Sequence, residues 1–158
     1  MKKLHFTIIT LFVLFAAQAQ TLDTITSKKL LGEWNLRKIA QAGNIADLKT
    51  GDVSVSDEFA AQKGQTKEAL AAQFKQKMSS MYGTLVFLPG QKMRYQLATA
   101  KISEGTYVIT LDNGRQYLTD EYSGSKMEVY FKEGLLYWDV LSNAGIVTMA
   151  WEKTADKQ

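Results

Sequence analysis

The sequence has no cysteine, and its single histidine, His5, stands among the first residues. Without cysteine there is no disulfide, no thiolate nucleophile and no N-terminal cysteine to carry a lipid, so the core must hold the fold unaided. Without histidine after residue 5, the rest of the chain lacks Ser-His-Asp and Cys-His nucleophile systems. It also lacks ordinary zinc sites and His- or Cys-ligated haem. No metal and no cofactor are expected. Proline occurs once, at Pro89. A surplus of charge of one sign is missing too, once the N-terminus is set aside. Lys2 and Lys3 precede the only long apolar run, Phe6 to Ala17, and Ala17-Gln18-Ala19 supplies a small-x-small pattern. Those are the cues of a cleaved export signal over residues 1–19, cut before Gln20. The run of 12 residues is short of the roughly 20 that a membrane span needs, so no transmembrane anchor is expected. Of 19 basic and 16 acidic residues, the signal holds two basic and none of the acidic, which leaves 17 against 16 in the mature chain. Such balance gives no general field for nucleic acid. A short lysine-led signal points to a bacterial host, and to the periplasm or secretion.

The mature part is one domain in length. Residues 20–29 read as a polar leader, 30–153 as the domain and 154–158 as a polar tail. Leu30 to Ala40 reads as a strand, with Trp34 and Leu36 on one face and Asn35, Arg37 and Ile39 on the other. Residues 41–55 hold Gly43, Asn44, Asp47, Gly51 and Asp52 and read as irregular. Ser56 caps a short helix over 57–63 that Gly64 ends. Thr66 starts a second helix to about Tyr82, with the one-sided stripe Leu70, Phe74, Met78 and Met81.

From Gly83 onward the period is two. Segments 84–88, 92–98, 105–111, 115–122, 126–132, 135–141 and 146–153 alternate between turn signals, of which Asn113-Gly114 is the strongest. With the first strand this makes eight. The expected fold is mostly β, an eight-stranded antiparallel up-and-down barrel with a helical pair between strands one and two. Eight strands enclose a space that is either packed solid or holds one small ligand.

Leu31-Gly32-Glu33-Trp34 resembles the Gly-x-Trp signature of lipocalins and related calycins. The whole layout of 30–153 resembles the lipocalin-like domains of exported Bacteroidetes proteins. The helical pair is similar to the lid of fatty-acid-binding proteins. The resemblance implies a binding barrel with Trp34 packed in its core. It departs from the pattern at Lys153, which stands where lipocalins usually carry a basic residue, often arginine, over that tryptophan; a lysine cannot stack as a guanidinium does. Thr119-Asp120 and Tyr122 echo a second lipocalin motif out of its usual strand order. Fatty-acid binders often hold a carboxylate with buried arginines, whereas Arg37, Arg94 and Arg115 all point outward or lie at a loop edge by alternation.

The alternating strands put Met93, Tyr95, Leu97, Tyr107, Ile109, Met127, Val129 and Phe131 on the inward face, which is either a filled core or a pocket lining. Methionines make a lining adaptable and phenols orient a polar group. The candidate ligand-binding residues are Phe74, Met78, Met93, Tyr95, Tyr107, Ile109, Met127, Val129 and Phe131. Catalysis is not expected. Asp57 and Glu58 suit a helix N-terminus, Asp112 a turn, and Asp120 and Glu121 point to opposite faces of a strand. The expected function is an exported lipocalin-like binder of a small, largely apolar molecule or lipid. The alternative is a solid-core envelope module that binds a protein partner or a second copy. The two-sided apolar stretch Leu135-Leu136-Tyr137-Trp138 leans toward that alternative, because something must cover its outer face.

Overall fold

The computed structural model describes residues 24–155, apart from Ser79 and Ala144. The expected export signal, His5 and the last residues of the polar tail lie outside the described residues. The elements are α1 (Ser27–Leu30), β1 (Gly32–Gln41), β2 (Asn44–Asp47), β3 (Asp52–Ser54), α2 (Asp57–Lys63), α3 (Lys67–Met78), β4 (Gly83–Leu88), β5 (Lys92–Leu97), β6 (Ser103–Asp112), β7 (Arg115–Asp120), β8 (Lys126–Lys132), β9 (Leu135–Ser142) and β10 (Gly145–Lys153).

Consecutive antiparallel hairpins run from β4 to β10, and β10 returns to β1, so the eight strands β1 and β4 to β10 close a barrel. Closure removes the edges that β1 and β10 would otherwise expose to each other. Asn113 and Gly114 both have positive φ, as a type I′ hairpin demands. Glu133-Gly134 and Ala42-Gly43 do the same without the asparagine that marks such a turn in a sequence.

The barrel departs from a plain meander at β1. Its first half, Gly32 to Asn35, pairs with β4, and its second half, Lys38 to Gln41, pairs with β2 on the same edge. β2 and β3 form a flap continued into the helical pair. Residues 41–55 are therefore not irregular: they carry two short strands of 4 and 3 residues. The wall between β1 and β4 opens beyond Asn35, and the flap and helices stand over the opening.

A second departure is a β-bulge. The pairing of β1 with β10 slips between Leu36 and Lys38, which leaves Arg37 as the extra residue. The slip reverses the phase. Ile39 lies opposite Met149, just as Leu36 lies opposite Trp151, and directly opposed residues share a face. Ile39 thus joins Trp34 and Leu36 on the inner face, a correction to the alternation expected for this strand. Arg37 turns to the flap, where its guanidinium pairs with Asp47 at 2.8 Å.

One end of the barrel is sealed. The segment before β1 folds across it, burying Ile25 and Leu30 in the core. Gln116 grips the Ile25 backbone from both sides: Ile25 N donates to Oε1 at 2.6 Å, and Nε2 donates to Ile25 O at 3.0 Å. Trp34 Nε1 donates to Leu30 O at 2.7 Å, and Lys153 Nζ lies 5.5 Å from the Trp34 ring centroid. Lysine thus supplies a cation–π contact where a guanidinium would stack. Above the plug, Leu85, Phe87, Tyr107, Leu118, Val129 and Leu136 fill the interior. Phe87 meets Tyr107 edge-on at 5.1 Å between ring centroids.

Candidate functional site

The other end of the barrel is open. It lies where β1 ends at Gln41, β5 at Leu97, β7 at Asp120 and β9 at Ser142, and where β10 begins. Two chambers occupy it.

The outer chamber has a volume of about 540 Å³. Its floor is Ile39 and Gln41 of β1, its side is Ile45, Ala46 and Val53 of the flap, and its roof is Phe59 of α2 with Phe74 and Met81. Local sequence explains why the roof is there. Ser56 accepts from Phe59 N at 3.2 Å and so caps α2. Gly64 ends α2 in the left-handed conformation, with φ 61°. Thr66 Oγ1 accepts from Ala69 N at 3.2 Å at the start of α3. Asn44 ties roof to flap, because its Oδ1 accepts from Ser56 N at 3.0 Å while its Nδ2 donates to Gln41 O at 3.2 Å. Leu70 is buried with Val55 and Ala60 in a small core of its own, against which Phe59 and Phe74 pack. That core is separate from the barrel core.

Asp47 anchors the flap to β1. Its desolvation raises its pKa, but hydrogen bonds from Arg37, Thr50 N and Lys49 N, with the attraction of the Arg37 charge, outweigh this and hold it at about 2. The carboxylate stays charged at any ordinary pH, and the ion pair stays made.

The inner chamber has a volume of about 180 Å³ and lies within the barrel. Met93, Tyr95 and Leu97 of β5, Met127 of β8, Trp138 and Val140 of β9, and Met149 and Trp151 of β10 face it, with Asp120 and Ser125 at the rim turn. Ile39 of the outer chamber and Met149 of the inner one are cross-strand partners, so the chambers share a wall. Gly83 lets the side chains around this chamber pack directly on its backbone. A Cβ there would come within 2.9 Å of Leu97 Cδ2 and 3.3 Å of the Trp151 ring.

Asp120 is buried, yet its role is local. Its Oδ1 accepts from Tyr122 N at 3.0 Å and its Oδ2 from Ser123 Oγ at 2.8 Å, so it braces the turn before β8. The echo of a lipocalin motif at this place corresponds to a turn brace. No group of His, Cys, Asp or Glu that could hold a metal occurs among the described residues. None of their helices is long and apolar enough to cross a membrane.

The nine candidate residues divide by depth. Met93, Tyr95 and Met127 face the inner chamber. Phe74 faces the outer one. Met78 is half-buried on α3 and faces neither chamber. Tyr107 and Val129 are buried in the sealed half, with Ile109 and Phe131 packed against the same core. Burial raises the Tyr107 phenol pKa against a weaker interaction with the Ser27 hydroxyl, and its oxygen makes no hydrogen bond of good geometry. Sequence reasoning missed Ile39, Ile45, Ala46 and Val53, because they lie in or beside the flap. It also missed Trp138, Met149 and Trp151 as lining, although their positions on β9 and β10 alternate inward.

No family model matches the chain, and no curated protein matches it in sequence. Solved structures to which the chain is similar include a point mutant of the REP1-NXSQ fatty acid transporter, at 11% identity and a TM-score of 0.43, over 80% of this chain and 99% of that one. Echinococcus granulosus fatty-acid-binding protein 1 is 15% identical with a TM-score of 0.40, over 81% and 99%. As-p18, an extracellular fatty acid binding protein, is 11% identical with a TM-score of 0.42, over 80% and 97%. Each likeness falls below a TM-score of 0.5, and none bears on what this chain binds.

Proposed function

We propose that the protein is an exported, lipocalin-like binding protein for a small, largely apolar molecule held at the open end of its barrel. The observation that carries this reading is the outer chamber. At about 540 Å³ it falls within the range of ligand pockets, roughly 300–1,000 Å³. Apolar side chains from strand, flap and helices converge on it, and it abuts a second chamber inside the barrel. Apolar burial would supply most of the affinity at about 25 cal/mol per Å². Phe74, Met93, Tyr95 and Met127 are the residues we assign to ligand contact, with Met78 flanking. Tyr107, Ile109, Val129 and Phe131 would serve as the solid floor. Export to the periplasm or beyond rests on the lysines, apolar run and Ala-Gln-Ala of the first residues.

Native mass spectrometry of the protein exported through its own signal tests the reading. A retained mass released on denaturation supports it, and the mature mass checks the cut before Gln20. A bare protein that stays bare with a panel of apolar compounds contradicts it. The solid sealed half would then favour the protein-interaction alternative.

A further inference from the structure

Two side chains that line the inner chamber carry buried donors without a partner. Trp138 and Trp151 both face it and are 4% and 1% exposed. Their rings lie 5.4 Å apart, tilted by 56°. Both indole Nε1 atoms are buried without a hydrogen-bond partner. The third tryptophan shows how this chain treats such a group elsewhere: Trp34 Nε1 is satisfied by Leu30 O at 2.7 Å. Buried donors are almost always paired, and one left unpaired destabilises the fold until an acceptor arrives. The sign of charge around them is equally telling. No lysine or arginine lines the chamber, and Asp120 stands at its rim. The three arginines are engaged elsewhere, Arg37 with Asp47, Arg94 with Glu104 and Arg115 with Glu128. A carboxylate entering the chamber would meet no cation and one like charge, an unfavourable burial.

Resting on the binding function proposed above, we infer that the inner chamber recognises an uncharged oxygen acceptor on the ligand, such as a ketone, ester or ether, through Trp138 Nε1 and Trp151 Nε1, and discriminates against a carboxylate. The apolar body of the ligand extends from the inner chamber toward the open end, along the face that carries Ile39 and Met149. Neutral oxygen acceptors can satisfy two indole donors in a pocket that offers no cation, and indole is a donor only.

The experiment compares a medium-chain methyl ketone with the carboxylate of the same chain length at neutral pH. An environment-sensitive apolar dye serves as the common competitor. Indole N–H resonances are followed on the wild-type protein, with Trp34 as internal control. The ketone should displace the dye at least about tenfold better than the carboxylate and should move the Trp138 and Trp151 resonances while leaving Trp34 in place. Trp138→Phe and Trp151→Phe keep the ring and remove the donor. Each should lose about tenfold in ketone affinity, the worth of one hydrogen bond, and should lose less than that for the dye, which has no acceptor to place there. If the dye binds but the carboxylate competes as well as the ketone, or the indole resonances stay still, the inference fails and the binding function stands. Ordered water permanently pairing both indoles would give that second result. If dye, ketone and carboxylate all fail to bind, both fall together.

Discussion

Leu70→Ala should loosen the roof of the outer chamber without unfolding the barrel. Leu70 is 5% exposed in a core whose other buried members, among the described residues, are Val55 and Ala60. A buried leucine truncated to alanine costs about 2–5 kcal/mol. The surrounding Phe59 and Phe74 are only partly buried and can relax into the gap, so the lower part of the range applies, about 2–3 kcal/mol. Because this core is separate from that of the barrel, the cost falls on local opening of α2 and α3. At about 1.4 kcal/mol per decade, their amides should exchange about 30–150 times faster. Amides of β6 to β10, protected by the barrel core, should keep their rates. Hydrogen exchange read by mass spectrometry on peptides across 57–78 and across 103–153 gives both quantities from one sample. Equal acceleration in the two regions would refute the reasoning, because it would make roof and barrel one cooperative unit.

Further consequences concern the plug, the flap and the outer wall. Gln116→Ala removes both hydrogen bonds to Ile25 and should cost about 1–3 kcal/mol, visible as a lower urea midpoint. The Asp47 carboxyl is held at about 2 against an ordinary 3.8. The stabilisation is therefore fully present above pH 3.8 and is lost as pH falls through about 2. Its worth is at most about 2 kcal/mol at neutral pH, reduced by whatever solvent reaches the pair at the flap. Asp47→Asn should weaken the protection of β2 and β3 amides at neutral pH, with the difference from wild type shrinking as pH falls from 3.8 through about 2. Tyr130 stacks on Tyr137 at 5.1 Å on the outer wall. Its pKa is pushed up to about 12 by burial and by the nearby Asp139, Tyr137 and Glu128. The stability it lends is full below pH 10 and fades as pH rises through about 12. An absorbance titration should show a late tyrosinate step that Tyr130→Phe removes.

Much of the fold could be read from the chain because alternation and turn chemistry agree from Gly83 onward. The order of barrel strands and the caps at Ser56 and Gly64 follow from local signals, and the core position of Trp34 from the resemblance to lipocalins. Three features left no such trace. The flap turns at Ala42-Gly43, where alanine adopts the left-handed conformation that asparagine would have announced, and its strands are too short to show a period. The bulge at Arg37 is a slip of phase, and alternation cannot predict where its own count breaks. Ile25 is one of only two apolar residues, with Leu22, in the polar segment 20–29, and only the groove it fills gives it meaning. The candidate site suffered from a deeper ambiguity. Tyr95 and Tyr107 occupy equivalent inward positions on neighbouring strands, yet one faces a chamber and the other is packed solid. What separates them is the plug at one end and the parting of β1 from β4 at the other, both long-range facts.

The measurement that bears most directly on the central claim is a methyl NMR titration with a neutral apolar probe, a medium-chain aliphatic ester. Met81 reports on the outer chamber and Met93, Met127 and Met149 on the inner one, while Ile109 and Val129 report on the sealed half. A ligand held at the open end should shift the four methionine methyls in saturable fashion and leave the Ile109 and Val129 methyls in place. Shifts concentrated at Ile109 and Val129, or no saturable shift at any of these methyls, would contradict it.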